Sequence, residues 1–272
     1  MSHLKDVVDL KNNNMKVSHE IPFALLKDSL EFNDYQYILP HLLTNKEYYD
    51  FMIDYRKQED SFIIMDNGLF EGVDHTEEEL LAAIDIIKPD VFITPDEWND
   101  YDTTWNNYNV WKNKVDPEKI MVVLQANDMF EAEELYEKLV EDGCKYIGFN
   151  HLAKFYDDYS CHPHFETRKT LGRIEFISWL KETNKLNKDV HHHLLGCNLA
   201  SEFKYYPEVY FPEIKTCDTS NPVTLAFEGV KYSSGIMFKP KTKIDNVMDS
   251  VDRGKLWLAK ENIQYFKENF IQ

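Results

Sequence analysis

The sequence predicts a compact (β/α)8 barrel of the TIM type, and three observations carry that expectation. Short apolar runs alternate with helix-patterned segments through the middle of the chain, at intervals close to one βα unit of about 30 residues. Polar residues stand where those runs stop. The competing fold, a doubly wound sheet, calls for a phosphate-binding turn after an early strand, and neither GxGxxG nor GxxxxGK[ST] occurs.

Taken in order, Tyr37 to Leu43 reads as the first strand, followed by a helix through Tyr49, Met52 and Ile53. Phe62-Ile63-Ile64-Met65 is the next strand and ends at Asp66. Thr76 then opens a helix with Glu79 at capping-box spacing and Leu80, Ile84 and Ile87 on one face. Val91-Phe92-Ile93 is a strand ending near Asp96, and Ile120 to Leu124 one ending at Gln125. Asp128 and Glu131 cap a helix that carries Leu135 and Leu139 and stops at Gly143. Tyr146-Ile147-Gly148-Phe149 follows as a strand. A helix around Leu171, Ile174, Ile177 and Leu180 precedes a strand through His193-Leu194-Leu195 to Gly196. Glu213 to Cys217 ends at Asp218, and Ile236-Met237-Phe238 completes a set of eight. The segment near 150–170 is longer than a barrel loop needs and reads as an insertion over the site. Leu256, Ala259, Ile263, Phe266 and Phe270 share a helical face, so an amphipathic helix near 254–270 closes the barrel. Residues 1–272 read as one domain.

Composition narrows the class. With 43% hydrophobic and 14% aromatic residues the 272-residue chain has enough material for a large core. No apolar run approaches the length of a membrane span, so no membrane partner is expected. Residues 1–14 lack the basic and apolar regions of a signal peptide, which points to a cytoplasmic protein. Cys144, Cys161, Cys197 and Cys217 form no CxxC pair and read as isolated thiols. No cofactor motif is present. The formal charge of −18 counts against indiscriminate nucleic-acid binding, which needs local cations. One basic face remains available, from Lys239, Lys241, Lys243, Arg253 and Lys255. A solvated surface is the plain reading of the same lysines.

The C-terminal ends of barrel strands converge on one mouth. Asp66, Asp96, Gln125 and Asp218, distant in sequence, would therefore meet in space. Any one of them alone reads as a turn or cap residue; the set is the signal.

These segments resemble the tRNA-guanine transglycosylase family. Met65-Asp66-Asn67-Gly68-Leu69-Phe70-Glu71 is similar to its Asp-Ser-Gly-Gly-Phe/Tyr-Gln motif, and Pro89 to Glu97 resembles its Ser-Asp-Ile-x-Met-x-Phe-Asp-Glu. Val123-Leu124-Gln125-Ala126 looks like Val-Gln-Gly-Gly, and His193-Leu194-Leu195-Gly196 like Leu-x-x-Gly-Gly. Thr216-Cys217-Asp218 matches the Phe-Asp-Cys region in position and order. The resemblance covers roughly Ile63 to Val223.

The resemblance implies a chemistry. Asp218 would attack C1′ of the target nucleoside, displace guanine and leave a covalent glycosyl-enzyme, which a second base resolves. A carboxylate suits that role, being both nucleophile and leaving group at an oxocarbenium-like carbon. Asp66 would act as general acid and base. Asp96 would accept from the purine N1–H and 2-amino edge, Gln125 would donate to O6, and Gly196 would offer its backbone N–H where a side chain would block the base. Gly68 would permit close approach or a positive φ. Phe70 would wall the pocket, or serve as an ordinary core aromatic.

Departures bear on the substrate. No cysteine follows Cys217, so no counterpart of the family's zinc subdomain is expected, and Gln125 is followed by Ala126-Asn127 instead of two glycines. A shortened, zinc-free chain resembles the branch that replaces guanine in DNA with a 7-deazaguanine such as preQ0, in DNA-modification systems that include those of bacteriophages. DNA is therefore preferred over tRNA, the queuosine-pathway substrate, as the nucleic-acid partner, with a free 7-deazaguanine as the second substrate. Two alternatives stand beside it. A metal-dependent hydrolase would draw ligands from Cys161-His162-Pro163-His164 or His191-His192-His193 with Asp66 or Asp218; the plain reading puts His191 and His192 at a solvated strand entrance and His193 on the strand. A non-catalytic base-binding module is the other.

Overall fold

The computed structural model describes residues 15–235 and 238–271. Eight parallel strands form a nearly closed barrel in the order β1-β8-β7-β6-β5-β4-β3-β2, with helices alternating around it. The strands are β1 (Lys16–His19), β2 (Gln36–Ile38), β3 (Ile63–Met65), β4 (Val91–Ile93), β5 (Ile120–Val123), β6 (Tyr146–Asn150), β7 (His191–Leu195) and β8 (Ile214–Thr219). All residues of β3, β4 and β5 are buried, because a parallel barrel strand faces side chains within and helices without. Continuous apolar runs are the sequence form of that double burial.

The outer layer comprises α1 (Ser29–Phe32), α2 (Lys46–Arg56), α3 (Glu77–Ile87), α4 (Tyr101–Trp111), α5 (Met129–Glu141), α6 (Phe165–Glu182), α7 (Asn221–Phe227) and α8 (Arg253–Phe266). Short polar side chains start several of them by accepting the orphan first-turn N–H groups. Asn45 does so for α2, Asp100 for α4 and Asp128 for α5. Thr76 and Glu79 form the reciprocal capping box of α3. Helix α8 closes the barrel, burying Ala259, Ile263 and Phe266.

Two strand assignments change. The first strand is Lys16–His19, which the sequence pattern hid, and Tyr37 to Leu43 divides into β2 and a 3-10 turn over Pro40–Thr44. Of the expected last strand, Ile236 and Met237 lie outside the described residues, and Phe238 makes an isolated antiparallel bridge to Leu199. Between β1 and β2 the described residues form no regular ladder. That seam is bridged by Asp34, whose N–H donates to the Val17 carbonyl and whose carboxylate accepts from the Val17 N–H, and by Ser18 Oγ, which accepts from the Tyr37 N–H.

The segment after β6 contains a 3-10 turn, Lys154–Asp158, before α6. Helix α6 carries Arg173, fully buried and paired with Glu202 through two N–H···O contacts of 2.6 and 2.8 Å. The same guanidinium donates to the carbonyls of Phe149, Leu195 and Gly196. It thus ties together the ends of β6 and β7, satisfying all the donors that burial would otherwise orphan.

Candidate active site

Asp66, Asp96, Gln125, Gly196 and Asp218 line one cleft at the C-terminal mouth of the barrel, together with Phe70 and Lys239. The cleft encloses about 550 Å³ of space, open solvent at its mouth included. Residues the sequence reading did not assign complete it: Glu20, Tyr37, Asn67, Glu71, Trp98, Asn150 and His151. Asn150 ends β6 and His151 follows it, much as Asp66 follows β3, so the strand-end rule alone would have found them. Glu20 follows β1 and stayed hidden with it.

Asp66 directly follows β3 and is buried. Its Oδ1 accepts the Asn67 N–H at 2.7 Å. Burial, and next the neighbouring Glu71 carboxylate, hold its carboxyl well above the usual range, with Asp218 and Asp96 adding to the effect. Glu20 is raised in the same way, by burial first and then by Asp218 and Glu71.

Asp96 has both oxygens occupied. Asn67 Nδ2 donates to Oδ1 and Gln125 Nε2 to Oδ2, each at 2.6 Å. Burial pushes its carboxyl up to about 6 despite those donors. Gln125 Oε1 accepts the Asn99 N–H. The amide expected to reach a substrate carbonyl is therefore committed to Asp96 in this state.

Gly196 also differs from expectation. Its N–H donates to Asp218 Oδ1 at 3.2 Å. Its φ is +60°, and an added Cβ would lie 2.5 Å from His151 Nδ1, so the side chain that glycine avoids would strike His151. Gly68 turns at φ +88°, where a Cβ would come within 3.0 Å of His75. It shapes the loop that carries Phe70 and does not line the cleft itself.

His151 Nδ1 faces the Leu195 carbonyl at 3.2 Å, an acceptor, so Nδ1 carries the proton and Nε2 is an acceptor. Burial, with Lys239 and Arg173 nearby, keeps the ring neutral, well below the ordinary histidine value. Phe70 stands 5.5 Å from the His151 ring, with the Lys239 ammonium 4.6 Å from its own centroid, and so forms a wall and not a core contact.

His192 and His193 are both fully buried, contrary to a solvated entrance for His192. Alternation on β7 sends them to opposite faces. His192 stacks on Phe149 and Tyr136. His193 Nε2 lies 3.0 Å from Asp218 Oδ1.

The basic residues divide. Lys239, Lys241 and Lys243 line a second cleft of about 810 Å³ that shares Phe70, Glu71, His151 and Lys239 with the first. Arg253 and Lys255 sit in the first turn of α8 and line neither cleft. Phe165 and Glu166, at the start of α6, form part of the second cleft.

Among the described residues no three His, Cys, Asp or Glu side chains are grouped to hold a metal ion, and no helix is long and apolar enough to cross a membrane. A scan against protein-family models finds no match to this chain, and a search of curated proteins returns none.

Proposed function

We propose that this protein is a base-exchange glycosyltransferase that replaces guanine in a nucleic acid, DNA in preference to tRNA, with a 7-deazaguanine such as preQ0. The single observation that carries the reading is a division of labour among carboxylates in one cleft. Asp66 is a buried carboxyl whose proton affinity is raised well above the usual range, Asp96 is an acceptor already facing two N–H donors, and Asp218 is gripped on one oxygen. A purine edge bearing N1–H and an amino group matches Asp96, and an acid beside a nucleophile is what glycosyl transfer needs.

In the first half-reaction Asp218 attacks C1′ and the C1′–N9 bond breaks. Asp66 gives its proton to the departing guanine, and a glycosyl ester joins C1′ to Asp218. In the second, the Asp66 carboxylate takes the N9 proton of the incoming base, N9 attacks C1′, and the ester breaks to restore Asp218. The base must leave the stack to reach the cleft. Binding the purine also requires Asn67 or Gln125 to release Asp96, which frees the Gln125 amide for the O6 carbonyl. The second cleft, with Lys239, Lys241 and Lys243, suits the phosphates next to the extruded nucleotide. The cytoplasm, where such substrates occur, is the compartment this reading implies. The metal-dependent hydrolase alternative lacks a ligand group among the described residues.

The test is to incubate the protein with a guanine-containing DNA or tRNA oligonucleotide and labelled guanine or preQ0. Exchange of label, with a covalent adduct on a denaturing gel, is the expected result. Reversible base binding without exchange or adduct would favour a non-catalytic base-binding module instead.

A further inference from the structure

Beneath the cleft, a hydrogen-bonded chain runs along the inner face of β7 and β8. His191 Nε2 lies 2.8 Å from Thr216 Oγ1, and that oxygen lies 2.7 Å from His193 Nδ1. His193 Nε2 then lies 3.0 Å from Asp218 Oδ1. The polarity of the chain follows from the acceptor at its end. The Asp218 carboxylate only accepts, so His193 Nε2 carries hydrogen. In a neutral ring Nδ1 is then an acceptor and takes the single hydroxyl proton of Thr216. The Thr216 oxygen is left to accept from His191 Nε2–H.

We infer that His193, set in one tautomer by Thr216, is a positioning residue that fixes Asp218 so that Oδ2 is its reacting oxygen. This inference rests on the proposed glycosyl transfer for its catalytic part and on geometry alone for the hydrogen-bonded chain. Both donors recorded on Asp218, His193 Nε2 and the Gly196 N–H, end on Oδ1, and among the described residues none ends on Oδ2. Two donors from one strand and its terminal turn define the plane of the carboxylate. Tyr37 of β2 lies parallel to the His193 ring, at 6.0 Å between centroids and an interplanar angle of 8°, and restrains its rotation. His191 is at the other end of β7, in a solvent-facing hollow with Lys16 and Lys215 at the N-terminal end of the barrel, so the chain crosses the barrel interior. A misplaced nucleophile is costly: about 1 Å of displacement can lose 10²-fold in rate.

The experiment has two arms. In the first, nitrogen-15 NMR of the imidazoles in the ligand-free protein reads the tautomer directly. His193 is expected as Nε2–H with Nδ1 bare. Thr216→Val should mix the tautomers and Thr216→Ser should restore the single form. A clean Nδ1–H tautomer of His193 would overturn the hydrogen-bonded chain whether or not the protein transfers bases. In the second, single-turnover adduct formation is compared for His193→Phe, which keeps an aromatic ring beside Tyr37, and His193→Gln, which keeps a donor. His193→Phe should slow adduct formation about 10²-fold with KM for the free base unchanged, and Gln should recover most of that loss. Thermal melting of each variant identifies any that misfold, and Thr216→Val against Thr216→Ser then carries the kinetic comparison. Wild-type rate and KM in a folded His193→Phe would end the positioning role. Wild-type protein that makes no adduct with any nucleic acid would count against the glycosyl-transfer reading and the catalytic part with it, leaving the tautomer arm to decide the chain.

Discussion

Asp96 and Asp218 line the same cleft but are held in opposite ways. Asp96 is capped on both oxygens by side-chain amides, Asn67 and Gln125, which swing on rotatable bonds. Asp218 is held on one oxygen by a backbone N–H and a ring buried in the barrel. Amides of that kind can be exchanged for a ligand's N–H groups at small net cost, since one set of hydrogen bonds replaces another. A backbone donor cannot leave. The contrast separates a recognition carboxylate, whose partners stand in for substrate, from a reacting one, whose partners define its direction.

The sharpest break in that contrast comes from Asp218. Asp218→Asn keeps an oxygen for His193 and Gly196 yet cannot form the glycosyl ester, so base exchange and gel-stable adduct should both vanish. A normal adduct from Asp218→Ala would place the nucleophile elsewhere. Asp66→Asn should slow exchange by about 10²–10⁴-fold, the usual cost of losing a general acid and base, while leaving a measurable residue of activity. Equal and complete loss in both variants would erase the distinction between the two roles.

Asp96→Ala should act mainly on KM for the free base, raising it about 10- to 100-fold through unpaired purine donors, with a smaller change in kcat. A pH series sharpens the point. The Asp96 carboxyl lies at about 6, so as pH falls through 6 it gains a proton and loses an acceptor. KM for the base in the wild type should therefore rise on acidification, and in Asp96→Ala this component should be gone.

The smallest effect concerns Glu71, whose Oε2 is buried without a hydrogen-bond partner among the described residues and whose carboxyl burial raises to about 7. A carboxyl raised in the fold contributes stability that is full below its unfolded value and is lost as pH rises through its folded value. Glu71→Gln should thus melt higher than wild type at pH 8, by on the order of 2 °C, with the advantage fading towards pH 5. The buried neutral histidines work in the other direction, since His191 and His192 are lowered to about 3, so the difference between the two proteins is the quantity to read.

What the sequence revealed and what it hid follow from the same physics. Strands β3 to β6 are apolar because both faces are buried, and a polar residue stands at or soon after the end of each, where the barrel opens into the cleft. Strand β1 is Lys16-Val17-Ser18-His19; its buried Ser18 and His19 satisfy each other's surroundings through Asn33 and break any apolar pattern. Helix α4 buries Thr104, Tyr108 and Trp111 at helical spacing, but Thr and Tyr do not register as an apolar stripe. At the site, residue type and strand-end position were legible for Asp66, Asp96, Gln125 and Asp218. Their hydrogen-bond partners were not. That Gln125 caps Asp96, or that Gly196 serves Asp218, depends on neighbours brought together by strand order.

That strand order also has a consequence for how the chain folds. Ser18 pairs in register with Asp218, and Val17 with Cys217, across nearly the whole described length. The ladders from β2–β3 to β7–β8 join neighbours in sequence, whereas β1–β8 closes the longest loop and carries the largest closure entropy. Contacts of that separation slow folding and leave strand edges open to aggregation meanwhile. A chain that has assembled only β2 to β7 already has the carboxylates that follow β3 and β4 and the β7 partners of Asp218, but lacks Asp218 itself and its β1 flank, so catalytic competence would be acquired with the final ladder and would report on barrel closure more faithfully than helix content does.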